Sequence, residues 1–427
     1  MTVSGPGTPA AAETAAEAAP APALWRNRDF MLLWSGQVIS TLGSTASGIV
    51  YPLLILELTH SPTAAGIAGA LGALPYLILS LPVGALIDRW DRKRVMIWCD
   101  IGRGLTLASI PIAMLFNVLT LWQIYLAALI EGSLYVFFNL AEVAALPRVV
   151  PKAQLPAAAA QNEAAFGAAA IVGPSLGTFL YQTFGRGVPF VADAVSYAVS
   201  VGSLFFIQAR FQLERGEAAP RNLRAEIVEG LSWLWHQPLI RSIAALTGGI
   251  NLVNAATPLI IVVLAKKMGA QDAQIGLIFS IAGLGGIAGS LIGGQIQKRF
   301  SFGQVILGVV WVQALLFPLY LVAPQFLLLG VITALLYLNS PIYNIVQFSY
   351  RLALIPDALQ GRVNSAFRLL AFGFQPLGAA LSGLLLERLG TTPTLIVFGL
   401  WFLALALLTT ANRYIRQAPP LARPVKP

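Results

Sequence analysis

The chain reads as an all-α membrane protein, with twelve transmembrane helices arranged as two pseudo-symmetric six-helix bundles. Three observations carry that reading. Of its 427 residues 57% are hydrophobic and only 11% are charged, where soluble domains carry about 25%, so lipid has to be the main solvent. Apolar stretches of roughly 20 residues, enough to cross a hydrocarbon core of about 30 Å as helix, recur along the whole chain. The second set of stretches also repeats features of the first.

Residues 1–24 are rich in Ala and Pro and lack the basic start and continuous apolar core of a signal peptide. They read as a disordered cytoplasmic tail. The first six spans fall near 30–57, 63–87, 95–117, 120–147, 158–183 and 189–208. Six more fall near 239–265, 273–297, 303–322, 325–353, 362–386 and 393–413. An N-terminal bundle over 25–208, a cytoplasmic linker over 209–237, a C-terminal bundle over 238–416 and a second tail over 417–427 follow. In the linker Ile227, Leu231, Leu234 and Trp235 recur at helical spacing opposite Arg224, Glu226 and Glu229. That pattern predicts an amphipathic helix on the inner leaflet, or no more than a connector between the halves.

Orientation comes from the basic residues. With the N-terminus inside, twenty Lys and Arg lie in inner segments, against Arg186, Lys266, Lys267 and Arg388 outside. The positive-inside rule then places both termini in the cytoplasm of a cell (inner or plasma) membrane. A net charge of +9 would point to nucleic acid in a soluble protein. Here the cations sit in short clusters between apolar spans, so the partner is the bilayer and not nucleic acid. The single cysteine, Cys99, and the two histidines, His60 and His236, both outside the spans, supply no metal set. No cofactor is expected. No phosphate-binding Gly-x-x-x-x-Gly-Lys-Ser/Thr loop and no clustered nucleophile and base appear, which argues against an enzyme.

The halves resemble each other. "YPLLILEL" from Tyr51 lines up with "TPLIIVVL" from Thr257, "VPKAQLPAAA" from Val150 with "IPDALQGRVN" from Ile355, and "GALIDR" from Gly84 with "GQIQKR" from Gly294. The offsets are 206, 205 and 210 residues, the agreement expected of a duplicated bundle with small insertions.

After the second span the chain carries Gly84-x-x-x-Asp88-Arg89-x-x-Arg92-Lys93, and the fifth holds "GPSLGT" from Gly173 to Thr178. With "LPRVVP" at Leu146 and "VADAVSY" at Val191, the chain resembles the major facilitator superfamily of transporters, in particular its drug, siderophore and macrolide exporter branch. The resemblance implies a monomeric secondary transporter working by alternating access. Its cargo would be amphipathic small molecules such as drugs, macrolides or siderophores, exported in exchange for protons. A proton-coupled uptake permease, or a non-transporting receptor or scaffold on the same fold, remain the alternatives. Two departures stand out: Lys298 occupies the second-half position of Asp88, and Thr178 stands where a second glycine is frequent.

The same resemblance places Asp88 opposite the N-terminus of helix eleven, near Gly361–Val363. A carboxylate there would meet the unpaired N–H groups and partial positive charge of the helix end and latch the bundles on the inside. Arg92 would reach an acid on helix four, with Glu142 the candidate, and Gly84 would let two helices approach closely. Arg89 and Lys93 complete this cytoplasmic gate. Basic residues alone would satisfy topology, but Asp88 and Asp91 would not then be needed.

Ionisable groups deep in the spans are functional candidates by default. Glu131 falls near the midplane of helix four and leads the candidates for proton coupling; alternatively it hydrogen-bonds a neighbouring helix and never titrates. Asp100 is a second candidate for proton coupling; alternatively it pairs with Arg103, one turn further along helix three, and needs no substrate. Asp193 in helix six is a further candidate acid, with Arg186 available to neutralise it. Glu163 and Arg368 occupy matching positions of helices five and eleven and could bridge the bundles. Glu57 and Glu387 lie at outer helix ends and need no special role. Gly173, Pro174 and Gly177 are expected to pack helix five against Gly285, Gly286, Gly289 and Gly293 of helix eight.

Overall fold

A computed structural model describes residues 24–87, 89–151, 154–212, 223–356 and 359–418; of Ala85, Gly361 and 223–227 it describes the backbone alone. Asp88 and Lys152 lie outside the described residues, as do 1–23, 213–222 and 419–427.

The first half comprises α1 (Arg28–Thr59), α2 (Pro62–Ile87), α3 (Arg92–Leu115), α4 (Leu121–Val149), α5 (Leu155–Phe184) and α6 (Val188–Phe206). The linker helix α7 (Leu223–His236) follows. The second half holds α8 (Pro238–Lys267), α9 (Asp272–Arg299), α10 (Phe302–Leu316), α11 (Phe326–Leu354), α12 (Gln360–Phe372), α13 (Gln375–Leu389) and α14 (Thr391–Ala411), closed by the short α15 (Arg413–Arg416). Among the described residues twelve segments are long and apolar enough to cross a membrane. Side-chain caps define several starts: Asn27 accepts from the Phe30 N–H, Thr120 from Gln123 and Ser301 from Gln304, each satisfying a donor the helix itself leaves open.

Two predicted spans are interrupted. The eleventh splits into α12 and α13 around Gly373 and Phe374. Pro376 has no N–H to offer the carbonyl a turn earlier, so the α-helical ladder cannot run through. The ninth ends as α10 and continues as a 3-10 turn, Phe317–Leu321, containing Pro318.

Packing follows one plan twice. In the first half α1 lies against α5 and α6, α2 against α4, and α3 against α4 and α6. In the second α8 lies against α12, α13 and α14, α9 against α11, and α10 against α11 and α14. The halves meet along two seams of the same pseudo-symmetry, α2 with α13 and α5 with α9.

Both seams are tight at the end of the molecule opposite the linker. There Glu387 takes the Ser61 hydroxyl and the Thr63 N–H (2.9 Å), and Gln182 accepts from the Ala273 N–H at 3.1 Å. A Cβ on Gly66 would sit 2.9 Å from the Gly383 Cα, so the two backbones touch. Contact continues to mid-depth, where Tyr76 meets Phe372 edge-on at 5.6 Å and Gly167 meets Ile287. Toward the linker end a Cβ on Gly84 would find nothing within 4 Å. On that side Gly84 therefore faces open space among the described residues. The expected close approach at Gly84 is not made, because in this conformation the helix ends there stand apart.

The linker helix turns inward to protein rather than lying free. Leu234 is fully buried, with Leu231 and Trp233 packed on the second-half core. Gly230 lies against the backbone of Arg362, and Glu229 pairs with the Arg362 guanidinium at 2.5 Å. Trp235 stays exposed, and the side chains of Arg224, Glu226 and Ile227 lie outside the described residues.

Candidate functional site

Polar chemistry in the first half converges on α1, α3, α4 and α6. Arg103 of α3 is buried, and its Nε and Nη2 both donate to Glu131 Oε1 of α4, at 2.8 and 2.6 Å. The Tyr197 hydroxyl of α6 joins the same oxygen at 2.9 Å and meets the Ser44 hydroxyl of α1 at 2.8 Å. The guanidinium also lies over the rings of Tyr197 (4.3 Å) and Tyr135 (5.5 Å). Glu131 Oε2 has no hydrogen-bond partner among the described residues.

Two more carboxyls sit beside this group. Asp193 of α6, with no exposed surface, accepts from Ser47 of α1 at 2.5 Å and from Ser196 at 3.1 Å. Asp100 of α3 is 1% exposed; its nearest polar neighbour is the Ser200 hydroxyl, which faces it from α6, but among the described residues no bond of good geometry is made to either of its oxygens. Two buried carboxyls and a third, partly buried one thus lie around a single guanidinium. Ionising all of them in so dry a place would cost several kcal/mol per uncompensated charge, in the range of about 3 to 5.

The sequence assigned the partners differently. Arg103 pairs with Glu131 and not with Asp100, since the cross-helix carboxylate offers both nitrogens one oxygen while its own-helix neighbour offers none. Arg186 is taken by Glu57, which also receives the Tyr181 hydroxyl. Asp193 is held by hydroxyls instead. Glu57 therefore has a partner set of its own, and so does Glu387. Glu163 is exposed, and Arg368 lies over the Tyr76 ring at 5.4 Å; no ion pair joins them among the described residues. Sequence reading missed Ser44, Ser47 and Tyr197. The signal was present: Asp193, Ser196, Tyr197 and Ser200 make one polar stripe on a helix of otherwise apolar or small residues.

The loop after α2 is built locally. Asp91 caps α3, accepting the Arg94 N–H at 3.1 Å, so this acid has a role that topology did not require. Arg92 is buried and donates to the carbonyls of Ala144 (2.8 Å) and Phe211 (3.2 Å). The expected bond from Arg92 to Glu142 does not occur: Glu142 and Ala144 are two residues apart, about 200° around α4, and present different faces. Lys93 tethers the end of α6 through the Phe205 and Ile207 carbonyls, at 3.3 and 2.8 Å. Arg89 is exposed.

The small residues also find other partners than expected. Gly173 and Gly177 of α5 pack on Thr45 and Ala46 of α1, while Gly285 and Gly289 of α9 pack on Ala334 and Leu338 of α11. Gly286 faces open space. The α5–α9 seam is made instead by Gly276 against Thr178 and Pro174, by Gly283 against Ala170 and Ile171, and by Ser175 with Ser280 at 2.7 Å. Thr178, the departure from glycine in "GPSLGT", fills the space Gly276 leaves.

Two six-helix bundles meeting along two pseudo-symmetric seams, with a charge cluster inside one of them, have the build of a membrane carrier of small solutes. The family model for the Major Facilitator Superfamily matches residues 33–370, and the chain belongs to that family of transporters. It is 27% identical over 419 residues to the multidrug efflux pump Tap of Mycolicibacterium fortuitum, covering 92% of this chain and 98% of that protein. Against macrolide efflux protein A of Streptococcus pyogenes the identity is 24% over 401 residues, covering 91% and 96%. Against the enterobactin exporter EntS of Citrobacter koseri it is 25% over 396 residues, covering 92% and 94%. In structure the chain is similar to the nucleoside transporter NupG, with a TM-score of 0.72, 15% identity and coverage of 90% and 98%. It is also similar to a bacterial homologue of the iron transporter ferroportin in an inward-facing state, with a TM-score of 0.68, 15% identity and the same coverage. These two likenesses are of fold.

Proposed function

We propose that this transporter is a proton-coupled exporter of amphipathic small molecules, acting as a monomer with both termini in the cytoplasm. The single observation that carries the coupling is the ratio of three carboxyls, buried Asp100 and Asp193 and partly buried Glu131, to one buried guanidinium. With Glu131 holding Arg103, the neutral state of the cluster keeps protons on the other two carboxyls. A proton lost from one of them changes the charge that a substrate between the halves meets, which is what exchange requires. Asp100 and Asp193 are the two candidate exchange sites. Glu131 acts as the fixed counter-charge, a narrower role than its position near the midplane first implied.

Export is supported by the efflux proteins to which the chain is similar along nearly its whole length. The distribution of Lys and Arg supports a cytoplasmic linker end, which puts the open space at Gly84 on the inside, where substrate would load. Closure would bring the end of α2 toward α12. The gate of Gly84, Asp88, Arg89, Arg92 and Lys93 belongs to that closed state, with Asp88 as the latch on the α12 N-terminus. Here that terminus is engaged by α7 through Glu229 and Gly230.

The test is a drug-resistance panel in cells expressing the wild type, Asp100→Asn, Glu131→Gln and Asp88→Asn, with and without a proton ionophore. Wild-type resistance is expected to collapse with ionophore. Each variant is expected to be made at normal level and to lose about tenfold or more of the resistance. Ionophore-insensitive efflux would remove proton coupling, accumulation of substrate inside the cells would remove export, and full resistance in Asp88→Asn would remove the latch.

A further inference from the structure

The second half also buries a cation, and no described carboxylate pairs with it. Arg351, in the last turn of α11, is 4% exposed. Its guanidinium carbon lies over the Phe367 ring of α12, 3.8 Å from the centroid, and over that of Phe348 at 5.3 Å. Stacking covers a face and leaves the edge free, and Nε and Nη1 have no hydrogen-bond partner among the described residues. Nη2 is not sealed in the same way. Two buried amide oxygens nearby are equally without partners: Gln347 Oε1, one turn back on the same face of α11, and Asn364 Oδ1, one turn back from Phe367 on α12.

The described carboxylates of the second half are engaged elsewhere. Asp272 pairs with Lys266 at 2.5 Å, Glu387 holds Ser61 and Thr63, and Glu229 of α7 holds Arg362. The stack on Phe367 and the C-terminal end of α11 each offset only about 1 kcal/mol. A desolvated guanidinium with two open donors costs several kcal/mol more than that. Arg103 meets the same cost with Glu131, and Arg92 meets it with carbonyls.

We propose that Arg351 is the anchor of an oxyanion site between α11 and α12, taking a single carboxylate or phosphate group on its free edge. Gln347 and Asn364, with the amide nitrogen of either turned inward, supply the further donors. Arg and amide together match the planar, multiply accepting geometry of such a group. The site is separate from the Arg103–Glu131 cluster, so it stands or falls independently of proton coupling. It adjoins the seam between the halves, because the next residue, Arg368, already reaches Tyr76 of α2.

The experiment uses the full chain in phosphatidylcholine nanodiscs, with thermal unfolding followed against inorganic phosphate, 1-naphthoate, and phosphatidylglycerol incorporated in the disc, all at matched ionic strength. At least one is expected to raise the unfolding temperature saturably, and which one does so identifies the source as free phosphate, an amphipathic carboxylate or a lipid headgroup. Arg351→Gln is expected to weaken that binding by about tenfold or more, Arg351→Lys to keep part of it, and Arg299→Gln, an exposed cation at the same end, to leave it unchanged. Absence of a saturable effect from all three anions on the wild type overturns the proposal, as does unchanged binding in a folded Arg351→Gln. Asp357 lies outside the described residues; binding seen only in Asp357→Asn would make that carboxylate the counter-ion and equally overturn it.

Discussion

The two halves share a fold but not a chemistry. Gly185 and Gly390, each with positive φ, end α5 and α13 and set the register between the bundles. In that register Glu131 falls opposite Leu336, Asp193 opposite Phe398 and Tyr197 opposite Phe402, all three buried and apolar in the second half. The caps Asp91 and Ser301 align α3 with α10, which places Arg103 opposite Gln313, also buried. Where the first half joins its helices through charge, the second uses neutral pairs, Tyr343 with Thr247 at 2.6 Å and Tyr320 with Thr333 at 2.8 Å. One architecture thus stands with either interior. The charge cluster is not needed to make a bundle, and this is the strongest reason to give it a task.

That comparison can be broken from either side. The largest effect is expected from Arg103→Met, which takes away the counter-ion of Glu131 and should cost about 3 to 5 kcal/mol, read as a lower unfolding temperature or loss of folded protein. The double variant Arg103→Met/Glu131→Leu gives the first half an interior like that of the second. It should recover most of that stability while remaining inactive in transport. A double variant that still exports would show the cluster to be structural only.

Next in size is the converse, Leu336→Glu, which places an acid in the second half with no guanidinium beside it. A loss of about 3 kcal/mol is expected from burying the charge. Stability little changed in this variant would mean that water reaches that core, and the contrast between the halves would fail. The smallest effect sharpens the comparison most. Tyr197→Phe and Tyr343→Phe each delete one buried hydroxyl and should each cost about 1 kcal/mol. Only Tyr197→Phe, which removes a donor from Glu131, is expected to alter the pH profile of transport. Equal shifts in both would place the proton site outside the cluster.

Much of this was legible in the sequence. Span number and limits follow from runs of apolar residues, and the observed helices begin and end within a few residues of them. The break in the eleventh span was carried by Gly373 and Pro376, though the apolar run continues across it and conceals the turn. Asp91 is a helix cap, a local role that its place three residues before Arg94 could have revealed. The pairings were less legible. Asp100 and Arg103 are neighbours on one helix, and sequence spacing favours them, but a carboxylate arriving from α4 outcompetes its neighbour on geometry. In the same way Gly173 and Gly177 announce close packing without naming α1 as the partner.

By itself, then, the sequence placed this chain with the transporters through the resemblance of its motifs, and determined that it lives in a bilayer, crosses it twelve times and is duplicated. Those properties depend on composition and on periodicity along the chain, which lipid and the helical hydrogen-bond ladder read locally. Only the tertiary structure decided which charges meet and which helices make the seams. Such contacts join residues far apart in sequence, and they are selected by the orientation of helix faces and by the cost of leaving a buried polar group without a partner.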